Sequence, residues 1–472
     1  MHRGFGTAAP AAHMEERMSD IALVDRWIEE HLDESLAELG RLVAQPSIAA
    51  QGLGMDECAG LVAAMLERRG FAVELAPSGG GPPVVLGERA GRSGRTLLVY
   101  NHYDVQPPEP LELWTSPPFE ATLRDGRMYG RGVSDDKGHI VSRLLAIDAL
   151  LAARGELPCR VKFVIEGEEE VGSVHLPAFV RANRERLAGD ACLWEFGQVD
   201  DRGVPMQYAG LRGICYVELS VETAALDVHS GLGGSIFPNA AWRLTWALGT
   251  LKGTDERIRI PGWYDAVRAP SERDRELIAA LPETADAYRG RYGVRGFLRG
   301  LEGGPELRVA KVFEPTCTLC GLTSGYQGPG SKTVLPARAS AKVDFRIVPD
   351  QLPDDLLRKL RAHLDAQGFP DVQVTFLGGN PAGRTDPDDP FLAMVARTAE
   401  PVYGVPMQIV PMIGGSGPNH CFLHELKVPV ACAGLGYPDT RAHAPDENLR
   451  VDHYVSHAKH VARILDAFGS GA

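Results

Sequence analysis

The chain has 472 residues, more than a single hydrophobic core normally supports, so at least two domains are expected. Hydrophobic residues make up 44% and charged residues 24% of the sequence, which is ordinary for a soluble globular protein. The formal net charge of −13 disfavours nucleic acid or an anionic membrane as a partner, because both carry negative charge.

The N-terminal half alternates between helical and strand patterns. Residues 1–18 are rich in Ala and Gly but lack an apolar stretch, which predicts a disordered tail, or an over-long start with Met14 or Met18 as the initiator, rather than a signal peptide. Helices are then predicted at 19–44, at 56–69, after Lys137 and at 176–186, and strands at 83–86, 96–100, 160–165 and 191–194. This alternation indicates an α/β domain with a mostly parallel sheet and helices on both faces.

The pattern changes near Leu211, which indicates an inserted domain. Residues 213–222 alternate between apolar and polar side chains, as in a half-buried strand. Further strands are predicted within 332–348 and at 371–377, and helices at 239–251 and 354–367. We therefore predict a catalytic domain made of residues 19–210 and 383–472, interrupted by an α+β (ferredoxin-like) lid or dimerisation domain at 211–382.

The eight cysteines are scattered along the chain, and the pair Cys317 and Cys320 stands alone. A single C-x-x-C pair is a weak signal for zinc or for redox chemistry, and two half-buried thiols in a strand or turn are the favoured explanation. The cysteine pattern favours a reducing compartment, so we expect a cytoplasmic protein.

Polar segments follow several predicted strands, where α/β proteins gather catalytic groups. His102 and Asp104 come just after one strand, in a His-x-Asp arrangement that lets the carboxylate orient a metal-binding imidazole. Asp135 and Asp136 open the long helix, and either carboxylate could serve only as a helix cap. Adjacent like charges repel, however, and a bound cation would relieve that repulsion.

A second strand ends in an acidic segment that contains Glu166, Glu168, Glu169 and Glu170. Glu195 follows a third strand. A solvated turn would not explain so much negative charge directly after an apolar strand. Hydrolytic metal sites need one carboxylate as a ligand and another, unligated, as a general base, and neighbouring Glu residues can supply both.

A late polar loop contains His443, followed by Asp446 and Glu447. Together with the strand-end residues it provides two histidines and several carboxylates, a mixture that suits zinc and also manganese or cobalt. The sequence contains no H-E-x-x-H, no G-x-S-x-G, no P-loop and no G-x-G-x-x-G motif. A metal-dependent hydrolase is therefore favoured over serine hydrolases and nucleotide-binding enzymes.

Seven segments of the sequence resemble the M20 metallopeptidases, especially their carnosinase-like dipeptidase branch. They are NHYDVQP, YGRGVSDDKG, EGEEEVGS, DVHSG, VDFRIVP, GGSGP and the loop of His443, and they occur in the order found in the family. The resemblance implies two divalent ions per subunit, with zinc favoured over manganese and cobalt. It also implies a small peptide substrate with a free carboxylate.

Carried over by position, the resemblance implies a role for each candidate residue. It makes Asp104 the acid that supports His102, and Glu169 the general base that takes a proton from metal-activated water. The peptide bond after Asp135 is expected to be cis. Glu195 departs from the Asp usual in the carnosinase branch. The implied metal ligands are His102, Asp135 as the bridge between both ions, Glu170, Glu195 and His443.

The remaining implied residues lie in GGSGP and in the inserted domain. His229 of DVHSG would polarise the scissile carbonyl across the interface of a homodimer, although a loop histidine with a local hydrogen bond is the plain alternative. Arg346 of VDFRIVP would grip the terminal carboxylate of the substrate with its rigid, bidentate guanidinium group. Ser416 of GGSGP would line the same pocket.

Two alternatives to a dipeptidase or carboxypeptidase stay open. The first is an N-acyl-amino-acid deacylase of the same family, which releases a different group from the same kind of bond. The second is an inactive homologue that only binds partners, which would have neither bound metal nor amide hydrolysis.

Overall fold

The computed structural model describes residues 9–471 and divides the chain into two compact units. Within the described residues, the first unit comprises 9–209, 385–410 and 421–471. The second comprises Gly210–Arg384 and Pro411–His420. The segment Pro411–His420, which the sequence places in the catalytic domain, therefore belongs to the second unit.

The first unit is built on a six-stranded sheet. Four neighbouring strands are parallel to one another. On one side of them, Val84–Arg89 pairs antiparallel with Arg160–Glu166, and the edge strand Ala72–Ala76 pairs antiparallel with Val84–Arg89. In spatial order the strands are Ala72–Ala76, Val84–Arg89, Arg160–Glu166, Thr96–His102, Ala191–Trp194 and Val430–Cys432. The central strands are almost fully buried because both of their alternating faces carry apolar residues.

Helices surround this sheet, and Lys137–Arg154 is the most deeply buried of them. Thirteen of its side chains are buried, and it ends at Gly155, whose φ of 73° favours glycine. The helix Val451–Ser470 packs against it and buries its own apolar face in the same core. The other helices of this unit are Ala9–Glu30, Leu32–Ala44, Met55–Glu67, Leu176–Ala182 and Pro390–Tyr403, together with the π-helical segment Cys421–Leu426.

Short strand pairs complete the first unit. Asn448–Arg450 pairs with Arg127–Tyr129, which in turn pairs with Thr122–Arg124. This pairing places the segment after His443 beside the segment that leads to Asp135. A second small sheet contains Gln198–Val199, Pro205–Tyr208 and Gln408–Val410.

The second unit contains a four-stranded antiparallel sheet. Along Gly213–Glu222 the burial alternates residue by residue, because one face of the strand meets the core. The helices Ala240–Leu251 and Pro353–Ala366 contribute apolar side chains to that core. In spatial order the strands are Thr318–Ser324, Arg338–Ile347, Gly213–Glu222 and Gln373–Asn380.

Additional short elements of the second unit lie outside this sheet. Val228–His229 pairs with Val334–Leu335, and Gly210–Leu211 pairs with Gly383–Arg384. Four further helices are Ser230–Gly233, Glu272–Ala280, Ala285–Tyr292 and Gly304–Phe313. The last three occupy a stretch in which the sequence pattern predicted no regular element.

The predicted fold class, a mostly parallel α/β domain with an inserted α+β domain, is confirmed. The helix predicted at 19–44 is in fact two helices, which separate at His31. The tail predicted at 1–18 lies partly outside the described residues, and the helix Ala9–Glu30 includes its second half. Among residues 9–471, no helix combines the length and apolar character needed to cross a membrane.

Candidate active site

The candidate ligands gather at one edge of the six-stranded sheet. Thr96–His102, Arg160–Glu166 and Ala191–Trp194 are parallel neighbours, and His102 lies opposite Glu166 in the register. Because parallel strands end at the same edge, the segments that follow them are neighbours as well. The structure thereby brings together the His-x-Asp, acidic and Glu195 segments that lie far apart in the sequence.

Asp135 is the side chain that contacts both candidate histidines. Its Oδ1 atom lies 3.1 Å from Nε2 of His102, and its Oδ2 atom lies 3.1 Å from Nε2 of His443. One carboxylate thus presents a separate oxygen to each imidazole, as a ligand shared between two ions would. The peptide bond between Asp135 and Asp136 is cis, as the family resemblance implies.

Asp136 has different partners from Asp135, although the two residues are adjacent. Asn101 Nδ2 donates to its Oδ2 at 2.6 Å, and the backbone N–H of His102 donates to the same oxygen at 3.2 Å. Its Oδ1 lies 2.9 Å from Nδ1 of His139. Because Asp136 Oδ1 faces His139 and its Oδ2 is held by Asn101, whereas Asp135 presents one oxygen to each candidate histidine, Asp135 is better suited than Asp136 to bridge two ions.

His102, Asp136 and Glu195 form the first group of metal-binding side-chain types, with ligand atoms within 4.8 Å of one another. Glu195 Oε2 lies 3.8 Å from His102 Nε2, and no described group donates a hydrogen bond to this buried oxygen. Burial, reinforced by repulsion from Glu169, raises the pKa of Glu195 well above its ordinary value. A buried carboxylate oxygen without a donor is costly, so Glu195 fits a cation ligand.

Asp135, Glu170 and His443 form the second group, with ligand atoms within the same 4.8 Å limit. His443 Nε2 lies 3.1 Å from Glu170 Oε2, and Gln106 Nε2 donates to that oxygen at 2.8 Å. Hydrogen bonds to Asp135 and Glu170 raise the pKa of His443 to about 10. These carboxylates therefore favour a positive charge at this position, which a divalent cation bound to neutral imidazole would supply.

His102 shows the same preference for positive charge. Burial alone lowers its pKa, but hydrogen bonds to Asp104 and Asp135 outweigh burial and raise the pKa well above the ordinary value. Nitrogen and carboxylate donors in this mixture suit zinc, manganese and cobalt. The side chains of both groups therefore fit a pair of divalent ions.

Asp104 connects His102 to the acidic segment and is fully buried. His102 Nδ1 is hydrogen-bonded to the backbone oxygen of Asp104 at 3.0 Å and lies 3.3 Å from its Oδ1. The same Oδ1 accepts a hydrogen bond from the backbone N–H of Glu169 at 3.2 Å, and Oδ2 accepts one from the backbone N–H of Glu170 at 3.0 Å. Asp104 thus orients the imidazole through its backbone and its carboxylate, and the carboxylate also fixes the start of the short helix Glu169–Val171.

Glu169 lies beside both groups and keeps part of its surface exposed. Burial raises the pKa of its carboxyl group; His102 opposes this shift, and the charges of Asp135 and Glu170 increase it. A carboxyl group whose pKa moves towards neutrality can both accept and release a proton.

In the second unit, Arg346 and Ser416 lie together. Arg346 Nη1 donates to Ser416 Oγ at 2.8 Å, and its Nε donates to Asp344 Oδ2 at 3.2 Å. The buried Arg212 donates to the backbone oxygen of Arg346 at 3.1 Å, and Thr316 Oγ1 accepts from its backbone N–H at 3.1 Å. The guanidinium group is therefore held in place while a third of the side chain remains exposed.

His229 is an exposed residue of the second unit. Its Nδ1 accepts a hydrogen bond from the backbone N–H of Gly231 at 3.0 Å. In the neutral ring this leaves the proton on Nε2, which lies 3.5 Å from Thr333 Oγ1. His229 therefore has both the local hydrogen bond of an ordinary loop histidine and an N–H that could be donated to a substrate.

Comparison with known families identifies the protein class. The model of peptidase family M20/M25/M40 matches residues 98–467, well over half of the chain. The chain belongs to this peptidase family. The predicted class of enzyme, an M20 metallopeptidase, is thereby confirmed.

Three relatives illustrate the extent of similarity to this M20 peptidase. The Cys-Gly metallodipeptidase of Schizosaccharomyces pombe is 27% identical and covers 92% of this chain and 95% of its own. The Beta-Ala-His dipeptidase of Mus musculus is 28% identical, covering 80% of this chain and 78% of its own. A solved M20 family metallo-carboxypeptidase from Sulfolobus solfataricus is 34% identical, with a TM-score of 0.87 over 93% of this chain and 99% of that one.

Sequence reasoning missed several residues that hold this site of the M20 peptidase together. Gln106 contacts Glu170, Asn101 contacts Asp136, and Arg131 forms a buried ion pair with Glu447 at 2.8 Å. Gln106 follows His102 within NHYDVQP, so its nearness to a candidate ligand was a usable signal. The pair between Arg131 and Glu447 joins residues 316 positions apart, and no local pattern indicates it.

Proposed function

We propose that this chain is a di-metal peptidase that hydrolyses dipeptides or short peptides carrying a free α-carboxylate. The observation that carries the proposal is Asp135, whose two oxygens face His102 and His443 beside Glu169. The three relatives, two dipeptidases and one carboxypeptidase, support the substrate class.

Two divalent ions are part of this proposal, with zinc favoured and manganese or cobalt as alternatives. When bound, such ions would polarise the scissile carbonyl and lower the pKa of water. We assign His102 and Glu195 to one ion, Glu170 and His443 to the other, and Asp135 to both.

The other side chains then have distinct tasks. Glu169 takes a proton from the attacking water and passes it to the leaving amine, for which its raised pKa is suited. Asp104 keeps the imidazole of His102 in its orientation. Arg346 and Ser416 bind the terminal carboxylate of the substrate, since Arg346 offers a fixed guanidinium group.

His229 completes the proposed site in a cytoplasmic homodimer. Its Nε2–H donates to the developing oxyanion of a substrate bound by a second copy of the chain. Exposed apolar side chains in the second unit support the homodimer, since such surfaces mark protein contacts. They include Leu226, Leu232, Ile236, Trp242 and Trp246.

The second candidate function is N-acyl-amino-acid deacylation. It is favoured by Glu195, because the carnosinase branch that the sequence resembles usually has Asp at this position. Deacylation would use the same ligands and the same base but would release an acyl group from an amino acid.

Side-by-side assays separate the two functions. The metal-free protein is loaded with zinc, manganese or cobalt and given matched sets of free dipeptides and N-acyl amino acids, with Glu169→Gln as the inactive control. We expect kcat/KM for the best dipeptide to exceed that for the best acyl amino acid by at least about 10-fold, equivalent to ~1.4 kcal/mol. The reverse order would assign the deacylase, and no hydrolysis with any metal would overturn both functions.

A further inference from the structure

Glu447 binds the backbone of the segment that carries Asp135. Its Oε1 accepts hydrogen bonds from the backbone N–H groups of Ser134 and Asp135, both at 3.0 Å. Its Oε2 accepts from the backbone of Gly132 at 3.0 Å and from Arg131 Nη1 at 2.8 Å. Glu447 is buried, with 1% of its surface exposed, so water cannot substitute for these donors.

The position of Glu447 in the chain connects two of the candidate ligands. It lies four residues after His443, and its own backbone oxygen accepts a hydrogen bond from Gly130 N at 3.0 Å. The strand Asn448–Arg450 that follows it pairs with Arg127–Tyr129, which precedes the Asp135 segment. A single side chain therefore joins the loop of His443 to the loop of Asp135.

The chemistry of these bonds favours a carboxylate over any other side chain. An ionised carboxyl group is an acceptor only, with about four lone-pair sites, and here four donors point at it. A Gln side chain would have the same shape, but its NH2 group is itself a donor and would face two of these four donors. The segment 131–135 would then move, and Asp135 would move with it.

We infer that Glu447 is a positioning residue that holds Asp135 in register with His443 and thereby sets the affinity of the site for divalent cations. The inference rests on the proposed function, because it assumes that Asp135 and His443 bind metal. Its plain rival is that Glu447 only stabilises the fold through its buried ion pair with Arg131. The positioning role depends on the hydrogen bonds that Glu447 accepts from the backbone of the Asp135 segment, whereas the stabilising role depends only on its ion pair with Arg131.

Three variants of the full-length chain distinguish these accounts. Glu447→Gln alters the acceptor for all four donors. Arg131→Gln removes the guanidinium donor, together with its bonds to the backbone oxygens of Pro107 and Ala444, and leaves the three backbone bonds of Glu447 intact. Asp446→Asn is the matched control: it changes the neighbouring carboxylate, which accepts from Thr115 rather than from the Asp135 segment. Asn also tolerates the positive φ of 59° at this position.

Each metal-free variant is titrated with Zn²⁺ and with Mn²⁺ against a competing chelator, and urea unfolding is measured in parallel. We expect Glu447→Gln to weaken cation binding by about 10- to 100-fold, the usual effect of losing a partner that orients a ligand. Arg131→Gln should lower the resistance to urea at least as much as Glu447→Gln does, but it should weaken cation binding by less than about 3-fold. Asp446→Asn should leave cation binding unchanged, because its hydrogen bonds go to Thr115 and not to the Asp135 segment.

Equal loss of affinity in Glu447→Gln and Arg131→Gln would overturn the positioning role. If Glu447→Gln does not fold, Arg131→Gln/Glu447→Gln, which removes both buried charges, is compared with Arg131→Gln alone. Equal cation affinity in that pair would also overturn the inference, and weaker binding by the double variant would support it. Failure of the unaltered protein to bind either cation would instead contradict the proposed function.

Discussion

The buried histidine His460 provides a quantitative test of the packing in the first unit. It is fully buried on the helix Val451–Ser470, and its Nε2 donates to the backbone oxygen of Val395 at 2.9 Å. Burial lowers its pKa from 6.5 to about 4; the bond to Val395 opposes this shift, and the charge of Arg463 adds to it. His460→Gln removes the titrating ring while retaining an N–H that can reach Val395.

The sign of the effect follows from proton uptake. Between about pH 6.5 and 4 the unfolded chain protonates His460 and the folded chain does not, so acid favours unfolding. The stability contributed by the neutral ring is fully present above the unfolded pKa and is lost as the pH falls towards the folded pKa. A shift from 6.5 to about 4 corresponds to a total loss of ~3 kcal/mol, of which about 2.5 kcal/mol falls between pH 7.5 and 4.5.

The assay is urea unfolding of both proteins at about pH 7.5 and about pH 4.5, under conditions in which the transition is reversible. At the higher pH the free-energy difference between the proteins reports packing alone, because the ring is neutral in both states. We expect the variant to lose about 2.5 kcal/mol less than the unaltered protein on going to the lower pH. A difference below ~1 kcal/mol would refute the inference that His460 stays neutral in the fold.

Three further predictions concern the site. Glu169→Gln should retain its metal by elemental analysis while kcat falls by at least about 100-fold, and near-normal turnover would move the base to another residue, with Glu168 the first to test. Arg346→Ala should raise KM for substrates with a free α-carboxylate by at least about 10-fold more than for their amidated counterparts; equal losses would make Arg346 structural. Refolding Glu169→Gln together with His229→Ala should restore up to about a quarter of the activity, because a mixed dimer regains one intact site. Mixed dimers as inactive as their parents would show that His229 acts within its own chain or not at all.

The sequence predicted the site best where candidate catalytic residues lie at the ends of apolar strands. His102 ends one apolar strand, Glu195 directly follows a second, and Glu169 lies three residues after the end of a third. The parallel arrangement therefore predicts that they meet at one edge of the sheet. The same logic explains why the fold class was predictable, since strands and helices of the first unit alternate in clear blocks. The individual roles of these residues remain predictions that the assays above test.

Local patterns failed where structure depends on distant partners. The helix Ala285–Tyr292 buries only Ala285, so it has no apolar stripe that a sequence could reveal. Glu447 resembled an ordinary loop acid because its four donors lie more than 300 residues earlier. The segment Pro411–His420 joins the second unit by long-range pairing, such as the bridge between Leu211 and Ile413, that composition does not indicate.

The packing of Lys137–Arg154 against Val451–Ser470 also limits how early the first unit can fold during translation. Nearly 300 residues separate the two helices, and at about 5–20 residues per second a ribosome needs roughly 15–60 s to produce the second after the first. During that interval the apolar side chains of Lys137–Arg154 lack their final neighbour. The core of the first unit therefore cannot be completed before the second helix has been synthesised, and we expect the nascent chain to expose apolar surface until then.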